Sequence, residues 1–169
     1  MVMKAITRIL KHLFYPDWLA YRAFPTTSRR AIERAISESE VRHGGEIRFA
    51  VEANLALAPL LRGISARQRA VEVYSQLRVW DTEQNNGVLI YLLLADRDVE
   101  IVADRGLNSL VAAAEWEAIC QAMEADFRRG AFEAGVRQGI RSIGELLARH
   151  FPPPADNRNE LPDRPTLIA

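Results

Sequence analysis

Oxygen-bearing side chains gather in two short stretches of the sequence and suggest a cation site. Asp81, Glu83, Asn85 and Asn86 lie close together, and Asp104 directly follows a predicted strand. Carboxylate and amide oxygens are hard donors that suit Ca²⁺ or Mg²⁺ rather than zinc. An Asn-Asn-Gly stretch before a strand is also good turn chemistry, so spacing alone leaves an ordinary solvated loop as the alternative.

The remaining chemically capable residues do not form a recognisable catalytic pattern. His12, His43 and His150 fall on a helical arm or at helix ends, without a suitably placed Asp–Ser or Cys partner. Gly44-Gly45 precedes a predicted strand instead of following one, so no nucleotide site is predicted. The single Cys120 excludes an internal disulfide and a cysteine zinc site, and its apolar helical surroundings predict an inert thiol. We therefore name no catalytic residue.

Charge is balanced over the whole chain but not along it. The 169 residues include 22 Lys or Arg and 22 Asp or Glu, and the hydrophobic content of 49% is sufficient for the core of one domain. Residues 1–34 carry seven basic and two acidic side chains. A basic excess confined to a short arm argues against nucleic-acid binding. Because no apolar run reaches the roughly 18 residues of a membrane span and no signal-peptide core is recognisable, we expect a cytoplasmic protein.

The two ends of the chain differ in composition from its middle. Residues 1–27 form a basic arm, in which residues 4–15 predict an amphipathic helix. Its apolar face comprises Ile6, Ile9, Leu10, Leu13 and Phe14. Such a helix either packs on its own domain or lies on a membrane surface, and we favour packing because one short helix with three cations binds lipid weakly. Residues 152–169 form a polar, Pro-rich tail.

Hydrophobic periodicity predicts an α/β domain between the arm and the tail. The predicted helices span 26–43, 65–80, 110–128 and 131–150, and the predicted strands span 46–53, 88–95 and 98–103. The first strand alternates, which predicts one partly exposed face, whereas the second is apolar throughout and is predicted to be central. The second helix is expected to bury Tyr74 and Trp80. The order β-α-β-β-α-α predicts a small mixed sheet with helices on both faces.

This topology brings the oxygen-bearing residues to one edge of the sheet. A right-handed crossover makes strand 46–53 parallel to strand 88–95, and the hairpin returns strand 98–103 to the edge where they begin. The residues placed there are Asp81, Glu83, Asn85, Asn86, Asp104 and, as a further candidate, Glu46. Asp96 and Asp98 lie at the opposite edge and are interpreted as turn residues. The preceding helix ends at the candidate edge, and its negative partial charge favours a cation.

Several short pieces of sequence together match a known family over roughly residues 28–150. They are Gly45-Glu46-Ile47, Tyr74 to Trp80, Asn85-Asn86-Gly87-Val88-Leu89, Val99-Glu100-Ile101, Asp104-Arg105-Gly106-Leu107, and Phe127-Arg128-Arg129-Gly130 with Gly135. The chain resembles the TPM domain family, the thylakoid acid-phosphatase-like domain of bacteria and chloroplasts, and its tail over 159–165 looks like that of short bacterial members. The family usually carries an Asp shortly before the first helix, where this chain reads Phe24-Pro25-Thr26-Thr27.

The resemblance implies an α/β/α sandwich over residues 28–151 with an acidic cation-binding pocket at the sheet edge. By position, Asp81, Glu83, Asn86 and Asp104 are the candidate ligands of Ca²⁺ or Mg²⁺. We predict a non-catalytic cation-binding or protein-interaction module with an unidentified protein partner, accessory to a membrane complex. Peripheral membrane contact through residues 4–15 is a second candidate interaction. The alternative function is a weak metal-dependent acid phosphatase, in which the cation polarises a phosphoryl oxygen and activates water.

Overall fold

A mixed sheet organises the protein, whose computed structural model describes the backbone of residues 2–168 and the side chains of residues 3–168. Within that range the four strands are β1 (Glu46–Glu52), β2 (Gly87–Leu93), β3 (Asp98–Ala103) and β4 (Thr166–Ile168). They lie in the order β3-β2-β1-β4, and β1 is parallel to both β2 and β4. β3 is antiparallel to β2. The predicted hairpin and parallel crossover are therefore confirmed.

Eight helices flank the sheet in the described part of the chain. They are α1 (Val2–Leu13), α2 (Trp18–Ala23), α3 (Thr26–Glu40), α4 (Leu57–Leu61), α5 (Ala66–Gln76), α6 (Arg105–Asn108), α7 (Ala113–Arg128) and α8 (Phe132–His150). Helices α3, α7 and α8 cover one face of the sheet, and α4 and α5 cover the other. The predicted α/β/α layering is confirmed. No helix among residues 2–168 is both long and apolar enough to span a bilayer.

Strand β2 lies in the interior of the sheet, as its uninterrupted apolar sequence predicts. Its side chains alternate between the two layers, so Ile90 packs toward α3, α7 and α8, whereas Leu89 and Tyr91 pack toward α5. Every residue of the strand is buried. Burial on both faces explains why the sequence of this strand lacks the alternation of a half-exposed strand.

Strand β1 differs from its prediction, because all seven of its residues are buried. Its alternating polar side chains have buried partners instead of solvent. Glu46 binds the backbone of the C-terminal tail, Arg48 donates to the Thr166 hydroxyl at 2.9 Å, and Glu52 binds Arg69. The predicted exposed face is wrong because the tail, predicted only as a polar segment, folds back and adds β4 beside β1.

The end of helix α5 also departs from the prediction. The helix begins after Ser65, whose side chain forms a capping box with Gln68, but it ends at Gln76 instead of residue 80. Arg78 adopts a left-handed backbone conformation with φ of 54°, which turns the chain out of the helix. As a result Val79 is buried, and Trp80 is 47% exposed beneath the Arg78 guanidinium. The assignment of Trp80 to the core is therefore wrong.

Helix α1 packs on its own domain, as favoured, but through its polar side. His12 is 1% exposed; its Nδ1 accepts from the Leu55 N–H at 2.9 Å, so its Nε2 carries the proton toward Asp96 at 3.0 Å. Arg8 donates to the same carboxylate at 2.9 Å. Of the predicted apolar face, Ile9 alone packs against the described core. Asp96 is thus more than a turn residue, because it fixes the N-terminal helix.

Candidate functional site

Three loops meet at the edge where β1 and β2 begin and β3 ends. The Asn86 side-chain amide donates to the Gly44 carbonyl at 2.8 Å, which joins the 81–87 loop to the segment before β1. The Gly106 N–H donates to the Asn85 carbonyl at 3.0 Å, which joins the same loop to the segment after β3. The loops that carry the predicted site residues are therefore adjacent.

Two glycines permit this close approach. A Cβ at Gly106 would overlap the Asn85 carbonyl oxygen, and a Cβ at Gly87 would overlap the Val79 carbonyl oxygen. In both cases the obstacle is backbone, which cannot move aside as the end of a side chain does. The packing of the three loops thus depends on residues without side chains.

Two of the four predicted ligands remain on the surface. The Asp81 side chain is 53% exposed and forms an ion pair with Arg78 at 2.9 Å. Glu83 is exposed, and its backbone N–H donates to the Glu160 carboxylate of the tail at 2.9 Å. Both carboxylates lie at the rim of the loop cluster.

The other two predicted ligands are buried, and the side-chain oxygen of Asn86 has no donor among the described residues. Asn86 is fully buried, and its Oδ1 has no hydrogen-bond partner among the described residues. Asp104 is 8% exposed; its Oδ1 accepts from the Arg105 N–H at 2.6 Å and begins α6. Its Oδ2 is also buried and lies beside the Tyr74 hydroxyl, which is the hydrogen-bond donor available to it. Burial, followed by the negative charge of Asp104 and by this hydrogen bond, raises the pKa of Tyr74. Buried acceptors without a donor are uncommon in folded proteins.

The oxygens at this edge are hard donors, but the described side chains by themselves do not form a metal site. No three His, Cys, Asp or Glu side chains within the described range come together in a way that could hold a metal ion. A cation at this edge would need amide, backbone carbonyl and water oxygens in addition to the Asp104 carboxylate. Ca²⁺ and Mg²⁺ accept such ligands, and Mg²⁺ usually keeps several waters.

Comparison with known proteins identifies the family to which this arrangement belongs. Residues 22–146 match the TPM domain. The chain belongs to the TPM domain family. Its fold is similar to the NMR structure of BA42 protein from the psychrophilic bacterium Bizionia argentinensis, with a TM-score of 0.76 and 31% sequence identity. That match covers 86% of this chain and 95% of the BA42 chain. No curated protein matches the sequence.

In this TPM domain, Glu46 binds the C-terminal tail instead of contributing to the loop cluster. It is 3% exposed, and its carboxylate accepts from the backbone N–H groups of Glu160 at 3.2 Å and Leu161 at 3.0 Å. Burial raises the pKa of Glu46, and the two amides oppose this effect. Its place at the start of β1 was foreseen, but its binding of a segment more than 100 residues away was not.

A second buried acid, Glu40, lies under the same edge and was missed by the sequence reasoning. Its Oε1 accepts from the Ile47 N–H at 2.8 Å, and the side-chain amide of Asn157 donates to its backbone carbonyl at 2.8 Å. Burial raises the pKa of Glu40 to about 9, with Glu46 and Asp163 adding negative charge. No local sequence signal marks this residue, because a Glu near a helix end is normally solvated.

His43 is a buried structural residue of this TPM domain. Its Nδ1 lies 3.0 Å from the Gly45 carbonyl, which can only accept, so Nδ1 carries the proton and Nε2 accepts from the Ser39 hydroxyl at 3.0 Å. Burial lowers the pKa of His43 to about 4, so the ring is neutral at physiological pH. Both nitrogens are occupied by these contacts, which fix the end of α3 against β1.

An open cleft separates the 81–87 loop from the tail. Its volume is about 440 Å³, and its lining residues include Glu83, Asp156 and Glu160 together with Arg158. Gly44 also lines the cleft, and its carbonyl accepts from the Asn86 side-chain amide at 2.8 Å. The cleft is open to solvent, and two of its charged residues, Asp156 and Arg158, form an ion pair at 2.8 Å.

Proposed function

We propose that this TPM domain is a non-catalytic module that binds Ca²⁺ or Mg²⁺ at the loop cluster and presents that edge to a protein partner of a membrane complex. The single observation that carries the proposal is the fully buried Asn86 Oδ1 without a hydrogen-bond donor among the described residues. A cation at this oxygen would compensate for its lost hydration. Asp104, whose buried carboxylate lies beside the Tyr74 hydroxyl, would supply negative charge from the neighbouring segment.

The surroundings support entry of a cation at this edge. Asp156 is ion-paired with Arg158 at 2.8 Å, which leaves Glu83 and Glu160 as an excess of negative charge around the adjacent cleft that favours a cation. Asp81 and Glu83 at the rim would act through bound water, because their side chains are solvent-exposed. We therefore expect weak to moderate affinity, as for other sites in which the ion keeps several waters.

An exposed aromatic residue beside the loop supports the protein-interaction part of the proposal. Trp80 immediately precedes the 81–87 loop and is 47% exposed, with the Arg78 guanidinium 5.6 Å from its ring centroid. Trp and Arg are among the residues most enriched at energetically important positions of protein interfaces. A cation that orders the loop would thereby also order this potential contact surface.

The test is a titration of the protein with Ca²⁺ and Mg²⁺, followed by calorimetry and by backbone NMR. Millimolar cation should shift the amide resonances of residues 81–87 and 104–106. An Asp81→Asn, Asp104→Asn double variant should weaken binding about tenfold or more, since it removes two formal charges from the edge. Folding should persist, because the asparagine introduced at position 104 would retain an oxygen acceptor for the Arg105 N–H that begins α6.

The matched control is a Glu117→Gln, Asp126→Asn double variant, which removes two charges from α7 and should bind like wild type. If millimolar cation leaves both loops unperturbed, or if the edge variant binds as tightly as wild type, the cation site is refuted. Hydrolysis of p-nitrophenyl phosphate is measured in parallel. Cation-dependent turnover that disappears in the edge variant would overturn the non-catalytic assignment in favour of the phosphatase alternative.

A further inference from the structure

The N-terminal helix presents an exposed row of large apolar side chains, here named the apolar face. Its members, between 48% and 82% exposed, are Met3, Ile6, Leu10, Leu13 and Phe14. At 100° per residue, this spacing places them in one stripe along α1 and its C-terminal turn. A contiguous apolar stripe on a surface helix indicates an interaction site.

Buried polar contacts hold the apolar face outward. On the opposite side of α1, Arg8 donates to Asp96 and to the Ile64 carbonyl at 2.8 Å, and His12 bonds both Asp96 and the Leu55 N–H. Rotation of the helix to bury the apolar face would break all of these contacts and leave buried polar groups without partners. The exposure is therefore built into the way the helix docks.

The charges and aromatic residues around the apolar face match an anionic lipid surface. Lys4 and Lys11 are exposed on α1, and α2 adds Arg22 beside Trp18, which is 56% exposed. Asp17 is the only acid in residues 1–32, and its carboxylate accepts from the Asn54 side chain at 2.6 Å. Basic side chains that flank apolar residues and an interfacial Trp are typical of helices lying at a membrane surface.

We propose that the apolar face inserts into the headgroup region of an anionic bilayer and anchors the TPM domain peripherally. A second copy fits this face less well, because pairing would bring the Lys4, Lys11 and Arg22 cations of both copies together. The anchor lies at the Asp96 end of the sheet, about one strand length, or about 20 Å, from the 81–87 loop. Membrane binding would thus leave the proposed cation site accessible, and it does not depend on that site.

The experiment uses the full chain with vesicles in the presence of EDTA, so that the cation site plays no part. Vesicles of phosphatidylglycerol with phosphatidylcholine are compared with vesicles of phosphatidylcholine alone by co-sedimentation. In a Trp80→Phe, Trp116→Phe background, the emission of Trp18 reports insertion. We expect binding to the anionic vesicles, a blue shift of Trp18 emission, and weakening of binding by salt.

Two pairs of substitutions separate the apolar and the electrostatic contributions. Leu10→Ser with Phe14→Ser should lower the partition coefficient by more than about tenfold, because two large side chains no longer leave water. Lys4→Gln with Lys11→Gln should lower it about 30-fold, which corresponds to about 1 kcal/mol for each cation near an anionic surface. Neither pair should change the far-ultraviolet circular dichroism, since all four side chains are exposed.

The matched control is Val41→Ser with Leu110→Ser, which alters two apolar side chains of 73% and 46% exposure near the opposite end of the sheet and should leave vesicle binding unchanged. Absence of binding to anionic vesicles refutes the proposal. Wild-type binding by both double variants, Leu10→Ser with Phe14→Ser and Lys4→Gln with Lys11→Gln, refutes it as well. A wild type that ignores vesicles but sediments as a dimer, dissociated by the Leu10, Phe14 pair, would assign the face to a second copy instead.

Discussion

A Glu40→Gln variant removes a buried ionisable group where α3, β1 and the tail meet, while it preserves the shape of the side chain. The Gln carbonyl oxygen can still accept from the Ile47 N–H, now 2.8 Å from Glu40 Oε1. The other end of the group faces the negative charges of Glu46 and Asp163, toward which an amide N–H₂ can donate. Gln therefore mimics the protonated acid without the possibility of ionisation.

The sign and size of the effect follow from the pKa of Glu40, which burial raises from 4.5 to about 9. Between these values the folded state retains a proton that the unfolded chain releases, so wild-type stability falls as the pH rises. At about 1.36 kcal/mol per pH unit, the loss at pH 7 is at most about 3 kcal/mol. Local opening of the tail would let Glu40 ionise in the otherwise folded protein and would reduce this loss. We therefore expect Glu40→Gln to stabilise the protein by about 1–3 kcal/mol at pH 7.

Urea unfolding of both proteins at pH 5, 7 and 8.5 measures this difference. The advantage of the variant should be below about 1 kcal/mol at pH 5 and should grow toward pH 8.5, with an increase in Tm of about 2–10 °C at pH 7. The opposing effect of His43, whose depressed pKa weakens the fold as the pH falls from 6.5 to about 4, is common to both proteins and cancels. Glu38→Gln, on the exposed side of α3, is the control and should change nothing. A variant less stable than wild type at pH 8.5, or a difference independent of pH, would refute the reasoning.

Two further substitutions test the contacts that position the arm and the loop cluster. His12→Ala leaves the buried Leu55 N–H without its acceptor, so native-state hydrogen exchange at Leu55 should become faster by the equivalent of about 1–3 kcal/mol; unchanged protection would show that the docking contact is not stabilising. Gly106→Ala should lower the free energy of unfolding by about 2–3 kcal/mol, because its methyl group would overlap the Asn85 carbonyl. Gly130→Ala, at an open position with φ of 77°, should cost only about 1 kcal/mol in urea unfolding, and equal losses at both glycines would contradict the steric argument.

The candidate site was foreseen from sequence at the level of loops but not of side chains. Strand order and direction bring residues 81–87 and 104–106 to one edge, and the structure joins them through Gly106 and Asn85. The orientation of each side chain depends on the neighbouring protein group that it binds. Asp81 faces Arg78, whereas Asn86 is fixed by the Gly44 carbonyl, and neither interaction is visible in the spacing of acids along the chain.

The sequence by itself determined the three longer strands, their pairing and the longer helices, because these follow from short-range patterns, but it did not predict β4. The uninterrupted apolar run that contains β2 required cover on both faces, and the tight turn at Asp96-Arg97 required an antiparallel partner. The short motifs spread over residues 28–150 were sufficient to recognise the family, which the match over residues 22–146 confirms.

Only the tertiary structure decided which polar residues are buried and which apolar ones are exposed. The alternating pattern of β1 predicts that Glu46 is exposed. In the structure its carboxylate is buried and accepts from the backbone N–H of Leu161, 115 residues away in the tail. The amphipathic pattern of α1 predicts an apolar side for packing, yet Asp96, 84 residues from His12, binds the opposite side and turns the apolar face outward. A buried hydrogen bond constrains orientation because each partner left unpaired away from water costs about 1–3 kcal/mol, and pairings such as these form only when distant segments of the chain meet.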